Sequence, residues 1–188
     1  MQYCVLGDST DGPKLRLDYR EFAYAGKFVM SNTGKSVAFE DPVRNEPTAE
    51  DIVGAVAFSP THDDEETVRL RYVTVRESRR GEGIGSRLLR YTADWLENRY
   101  DTVAIAVNNP VAYRACYRAG FSYSGTETGI AELLMHYGPS GNRDRDRYLD
   151  GLAVFRERDL PPAQRAVLDC TDVPTLVESP THTNSNLR

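Results

Sequence analysis

Residues 78–86 read SRRGEGIGS, and RLLRYTADWL (87–96) follows without a break. Glycine is a poor helix residue, so three of them directly before a helix-forming run need a local cause. One cause is a plain connection from a strand into a helix. The other is chemical: bare backbone N–H groups at a helix start, flanked by arginine, form a cradle for phosphate. The neighbouring sequence decides between them. Upstream, TVRLRYVTV (67–75) alternates β-branched and polar residues and reads as a strand. Downstream, Ile84, Leu88, Leu89, Thr92 and Leu96 recur on one face of a helix ending near Arg99.

Known glycine loops can be tested by spacing. A P-loop needs Gly-Lys-Ser/Thr, and this run holds no lysine. A dinucleotide fingerprint needs a third glycine where Ser86 stands, and it begins at the strand end, whereas five residues separate Val75 from Gly81. The spacing that fits is Arg-x-x-Gly-x-Gly, filled by Arg80, Gly83 and Gly85.

The remaining chain frames that unit. QYCVLG reads as an opening strand, KLRLDYREFAYAGKF (14–28) as a helix carrying Leu15, Tyr19, Phe22 and Ala23, and KSVAFED (35–41) as a strand. Residues 41–50 suit a loop. DIVGAVAFS (51–59) and DTVAIAV (101–107) read as strands joined to their neighbours through PTHDDEE and the 84–99 helix. Asn109 with Pro110 opens a further helix that Gly120 stops. FSYSG and AELLMHY make a final strand pair around TETG. A linker from Gly138 leads to an amphipathic helix over 146–156 with Tyr148, Leu149, Leu152 and Phe155, and Pro161-Pro162 precede a short helix over 163–169. The Thr-, Ser- and Pro-rich end from Thr171 is expected to be disordered. The expected units are a domain over 1–138, a helical extension over 139–170 and a tail over 171–188.

Composition narrows the partners. The 188 residues carry a net charge of −5, against a general nucleic-acid binder, and no apolar run approaches the roughly 18 residues that span a membrane. The opening residues show no secretory pattern, and Cys4, Cys116 and Cys170 lack metal-ligand spacing, so a cytoplasmic protein with reduced thiols and no metal is expected.

Two segments, in order, carry a family likeness. VTVRESRRGEGIGSRLL resembles the acetyl-CoA loop of the GCN5-related N-acetyltransferases (GNAT), and NNPVAYRACYRAGF resembles that family's Asn-x-x-Ala…Gly-Phe segment through Asn109, Ala112, Gly120 and Phe121. The resemblance covers residues 50–138. It implies an acyl-CoA N-acyltransferase fold: an α/β architecture with a mixed, mostly antiparallel twisted sheet flanked by helices. It implies acetyl-CoA as cosubstrate and transfer of acetyl to a primary amine in a ternary complex. The other reading is a non-catalytic acyl-CoA-binding module.

By the same resemblance, Arg80, Gly81, Glu82, Gly83, Ile84, Gly85 and Ser86 hold the pyrophosphate, with Arg76 or Arg79 reaching for the ribose phosphate. The main chain near Val73 and Val75 holds the pantetheine arm. Asn109 either caps its helix or contacts that arm. Family members often place a tyrosine, as general acid, where this chain has Cys116. Tyr117 ranks first as its replacement, then Cys116, then Tyr113. The family's strand glutamate is replaced by Arg69 and Arg71, leaving water, Glu127 or His136 as the base. The expected partners are an amine acceptor, no nucleic acid, no membrane, and a second copy of the chain if the 148/152/155 stripe packs between subunits.

Overall fold

The computed structural model describes residues 1–8, 12–40, 48–129, 131–138, 143–170 and 172–180. Seven strands form one sheet: β1 (Gln2–Gly7), β2 (Gly34–Phe39), β3 (Ile52–Pro60), β4 (Thr67–Val75), β5 (Thr102–Val107), β6 (Phe121–Glu127) and β7 (Leu133–Tyr137). Their spatial order is β1-β2-β3-β4-β5-β7-β6. Every neighbouring pair is antiparallel except β4–β5, which is parallel. The helices are α1 (Ile84–Leu96), α2 (Pro110–Ala119), α3 (Arg145–Val154) and α4 (Pro162–Leu168). The mixed, mostly antiparallel α/β architecture is therefore present.

Alternation along the strands separates two cores. Val68, Leu70, Val103, Ile105, Met135 and Phe121 face α1 and α2 in the larger one. Cys4, Val37, Ile52, Ala55 and Ala57 line the opposite face, under Leu15, Phe22, Ala25 and Phe28. A bulge shifts the β3–β4 register, with Ala57 opposite Tyr72 and Phe58 opposite Leu70. The extra residue is Arg71. It reverses the alternation, so that Tyr72 and Thr74 share a face with Arg69 and Arg71.

The 14–28 segment departs from expectation. It holds no α-helix, only turns and a single 3-10 turn at Ala25–Lys27. Leu15 N–H donates to the Phe28 carbonyl, closing the segment on itself, and the Asp18 carbonyl accepts from the N–H groups of Glu21 and Phe22. The Asp18 carboxylate also holds the Arg20 backbone and guanidinium. Tyr24 takes a left-handed backbone (φ 60°), which a helix excludes. Of the expected stripe Leu15 and Phe22 are buried, from a loop, while Tyr19 and Ala23 are exposed.

The C-terminal helices join the larger core. Tyr148, Leu152 and Phe155 are fully buried there, so the stripe packs on its own chain. Gly151 permits this approach: a Cβ at that position would lie 2.3 Å from the Tyr113 hydroxyl. Residues 172–180 form no helix or strand, Pro174 is buried, and Val177 N–H donates to the Arg118 carbonyl. The expected tail beyond Pro180, most of the 41–50 loop and the start of the linker lie outside the described residues. No helix among those described is long and apolar enough to cross a membrane.

Leu152→Ala removes a fully buried side chain from this seat and should cost about 2–5 kcal/mol. Thermal melting should fall by about 5–15 °C for a domain of this size. An unchanged melt would mean that α3 contributes nothing to the core.

Candidate active site

β4 and β5 run together only from Thr67↔Thr102 to Leu70↔Ile105. Beyond that point β4 keeps β3 on one side and has no strand on the other. A cavity of about 610 Å³ opens at this parting. Val73, Thr74 and Val75 form one wall, with Ile105 and Val107 opposite. The start of α1 forms the end wall, and α2 contributes Asn109, Ala112, Ala115 and Cys116.

The end wall is polar by construction. Gly83 precedes α1 with φ 75°, and no side chain caps the helix. Gly81 has φ 89°. Both values lie where glycine is favoured. Among the described residues, the N–H groups of Gly81, Gly83, Ile84, Gly85 and Ser86 have no backbone acceptor, and all five residues line the cavity. Free N–H groups and the positive helix end favour an anion there.

The expected side chains divide. Arg80 lies on the wall, its Nε donating to the Val75 carbonyl over 3.3 Å. Glu82 is not on the wall, because its carboxylate takes two 2.8 Å bonds from Arg79. Arg79 also pairs with Glu40 at 2.7 Å, and these acids raise its pKa. Arg76 pairs with Glu21 and donates to the Glu50 and Ile52 carbonyls. Both arginines offered for a ribose phosphate are therefore paired within the protein, although Arg79 still lines the cavity while Arg76 does not. Arg114 and Arg118, which sequence reasoning missed, line the cavity with no ion-pair partner among the described residues. Their i,i+4 spacing on α2 was the available signal. Thr74, with an unpartnered buried hydroxyl, Ala23 and Gln164 also line the cavity and were missed. Asn109 caps α2: its Oδ1 accepts from Ala112 N–H at 2.9 Å, and the residue also lines the cavity.

The three candidate acids are pulled apart by the rotation of α2. Cys116 reaches the cavity, while Tyr113 and Tyr117, four residues apart, share the face beneath α3. Tyr117 donates its hydroxyl to the Arg143 carbonyl at 2.6 Å, and the Arg143 guanidinium lies 4.1 Å over its ring. Tyr113 donates to the Tyr148 carbonyl at 3.1 Å. Burial raises the pKa of both tyrosines and pushes the Cys116 thiol up to about 12. Glu127 pairs with Arg158, and His136 sits on β7; neither lines the cavity.

The family model for the Acetyltransferase (GNAT) family matches residues 9–121. The chain belongs to this acetyltransferase family. Among solved structures, the ribosomal-protein-alanine N-acetyltransferase of Brucella melitensis is 20% identical. That match covers 55% of this chain and 67% of the other, with a TM-score of 0.44. The PaiA N-acetyltransferase of Thermoplasma acidophilum, in complex with coenzyme A, is 16% identical over 55% and 58% of the two chains (TM-score 0.43). A Bacillus subtilis acetyltransferase in complex with CoA is 16% identical over 56% and 76% (TM-score 0.44). No curated protein matches the sequence.

At pH 8 a thiol of pKa about 12 is ionised in about one molecule in ten thousand, against about a quarter for an ordinary thiol. Burial also raises Cys4, to about 11, while Cys170 is half-buried. Iodoacetamide should therefore modify Cys170 first and leave Cys4 and Cys116 intact, as read by peptide mass spectrometry. Equal labelling of Cys116 would show an ordinary thiol open to solvent.

Proposed function

We propose that the protein transfers acetyl from acetyl-CoA to a primary amine by direct attack within a ternary complex. The observation that carries this reading is the row of free N–H groups at the α1 start, opening onto the unpaired edge of β4. The residues present fit the coenzyme. The N–H groups of Gly81 to Ser86 would hold the pyrophosphate. Arg114 and Arg118 supply positive charge with no ion-pair partner among the described residues. The free edge of β4 after Leu70 would take the amides of the pantetheine arm as an added strand does.

When bound, acetyl-CoA supplies an activated acyl thioester: the amine nitrogen bonds to the carbonyl carbon, the C–S bond breaks, and the proton lost by nitrogen is balanced by one gained at sulfur. The chain's part is positioning and polarisation. Backbone N–H on the free edge of β4 near Val73 stabilises the developing oxyanion, and the cavity walls hold the reactants within reach. Cys116 is a poor proton donor, since its thiol holds a proton far more tightly than an ordinary thiol near 8.5. The hydroxyls of Tyr113 and Tyr117 point into the core. Water in the cavity therefore serves as the proton carrier in this reading.

Acetyl-CoA turnover with a panel of amines tests the proposal, and coenzyme binding without any turnover would reduce the cavity to a binding site. Gly83→Asp places a carboxylate where the loop should meet pyrophosphate. Coenzyme A affinity should fall more than tenfold, about 1.4 kcal/mol or more, in calorimetry. Gly83→Ala separates that charge effect from strain at φ 75°. An unaltered affinity for Gly83→Asp with the fold intact would exclude the loop.

Tyr117→Phe should leave kcat within about threefold of the parent, because a side-chain acid typically contributes about 100-fold or more. Its cost should appear instead in melting, at about 1 kcal/mol for one buried hydrogen bond. A hundredfold loss of kcat at unchanged coenzyme affinity would restore Tyr117 as the acid.

A further inference from the structure

One row of the sheet runs through Ser59, Arg69, Ala104, His136 and Ser122, on β3, β4, β5, β7 and β6. Its flanking residues Val68, Leu70, Val103, Ile105, Met135 and Phe121 point into the helix-side core, so the row faces the other way. The smaller core, under Leu15, Phe22 and Phe28, covers that face over β1 to β4. The buried side chains of α1 to α4 all belong to the opposite face.

Arg69, Arg71 and His136 gather on this row. Arg71 is held there by bonds from Nε to the Ser59 hydroxyl (3.0 Å) and from Nη2 to the Pro60 carbonyl (3.1 Å). Among the described residues neither arginine has a carboxylate within ion-pair distance. Burial and the neighbouring Arg69 charge lower the pKa of Arg71, and the same two causes lower that of His136. Two buried polar atoms in the row lack any partner among the described residues: Arg69 Nε and the hydroxyl of Ser122, a residue only 1% exposed. Two neighbouring guanidiniums with no acid beside them among the described residues, an imidazole and an unsatisfied buried hydroxyl make a donor set suited to an anion, and Arg71 is exposed and so open to one from solvent.

The cluster does not line the cavity itself but lies on the same face of β4 as a residue that does. Because of the bulge at Arg71, the side chains of Arg69, Arg71, Tyr72 and Thr74 share one face, and Thr74 lines the cavity with an unpartnered hydroxyl of its own. Along β4, Arg71 and Arg69 lie about 7 and 13 Å from Val73 at roughly 3.3 Å per residue. Both distances fall within the reach of a short molecule with an amine at one end.

We propose that the acceptor amine carries an anionic group, a carboxylate or a phosphate, gripped by Arg69 and Arg71 while its nitrogen reaches the cavity beside Thr74. This rests on the acetyl-transfer reading of the cavity and adds the class of acceptor. Guanidinium presents paired donors that match carboxylate or phosphate oxygens, which lysine in the same place would not. The net charge of −5 favours cations only at long range, whereas the cluster acts within a Debye length of about 8 Å.

Matched amines on the full chain test this. The pairs are glycine, 4-aminobutyrate and 6-aminohexanoate against the corresponding alkylamines, with 2-aminoethyl phosphate against ethanolamine to separate phosphate from carboxylate. kcat/KM with acetyl-CoA should favour the anionic member of at least one pair by about 10- to 100-fold. Arg69→Gln or Arg71→Gln should remove that preference while leaving coenzyme A affinity and neutral-amine turnover unchanged, and Arg69→Lys should restore only part of it. Calorimetry with the same amines in the presence of coenzyme A reads the subsite without chemistry. Turnover that favours the neutral amine in every pair would overturn the anionic acceptor while leaving acetyl transfer intact. If no amine is turned over, acetyl transfer fails, and calorimetry decides the subsite: anion binding lost in Arg69→Gln supports it, and no binding by any anionic probe overturns it. A variant that melts well below the parent is replaced by the other glutamine substitution in the same comparison.

Discussion

The parting of β4 from β5 after Leu70↔Ile105 is the constraint on which the rest depends. These strands are the one parallel pair in the sheet, and a parallel pair needs a crossover, here made by α1. The crossover must begin at the C-terminal end of β4, which places the start of α1 beside the parting. The bulge at Arg71 adds a local bend and twist in the strand just where pairing with β5 ends. An unpaired strand edge, a helix N-terminus with free N–H groups and a cavity between them therefore arise together. A coenzyme that needs both an anion cradle and an extended partner finds them adjacent for topological reasons.

Charge around the cavity is divided by function. Arg79 ties Glu82, within the loop, to Glu40 just past β2, while Arg76 ties the strand exit to Glu21 and to the Glu50 and Ile52 carbonyls. These pairs fix the loop's path, and their charge is largely cancelled locally. Arg80, Arg114 and Arg118 keep theirs facing the cavity. A chain with net negative charge thus builds a positive interior site by pairing some arginines and leaving others unpaired.

The strands and the α1 loop were legible because each shows a local signal: β-branched alternation in 67–75, glycines at set spacing in 81–85, and an Asn-Pro helix start at 109–110. What was not legible came from long-range geometry. The apolar spacing of Leu15, Tyr19, Phe22 and Ala23 fits a helix face, yet only Leu15 and Phe22 are buried, from a loop closed by the bond between Leu15 and Phe28, while Tyr19 and Ala23 are exposed. Periodicity proposes a face and cannot tell a helix from a loop that buries only part of it. The role of Arg76 depended on Glu21, and that of Arg79 on Glu40 as well as the nearby Glu82; positions 21 and 40 are far away in sequence. The cavity's Gln164 comes from α4, beyond the family match at residue 121.

The rotation of α2 shows how that extension reaches the chemistry. Helix α3 needs a partner surface for Tyr148, Leu152 and Phe155, and α2 offers the rings of Tyr113 and Tyr117. Seating α3 there turns both hydroxyls to main-chain carbonyls in the extension, at Tyr148 and Arg143. With those tyrosines fixed on the far side, the position one residue before Tyr117, about 100° around the helix, faces the cavity. That position is Cys116, whose small side chain leaves space between α1 and α2 and whose buried thiol resists ionisation. The same packing brings α4 against α2 and Gln164 to the cavity wall. Bringing Tyr113 or Tyr117 to the cavity would require rotating α2, which would unseat α3 and withdraw α4 from the cavity wall. Which side chain α2 shows to the cavity and how the C-terminal extension is seated are thus coupled through one helix.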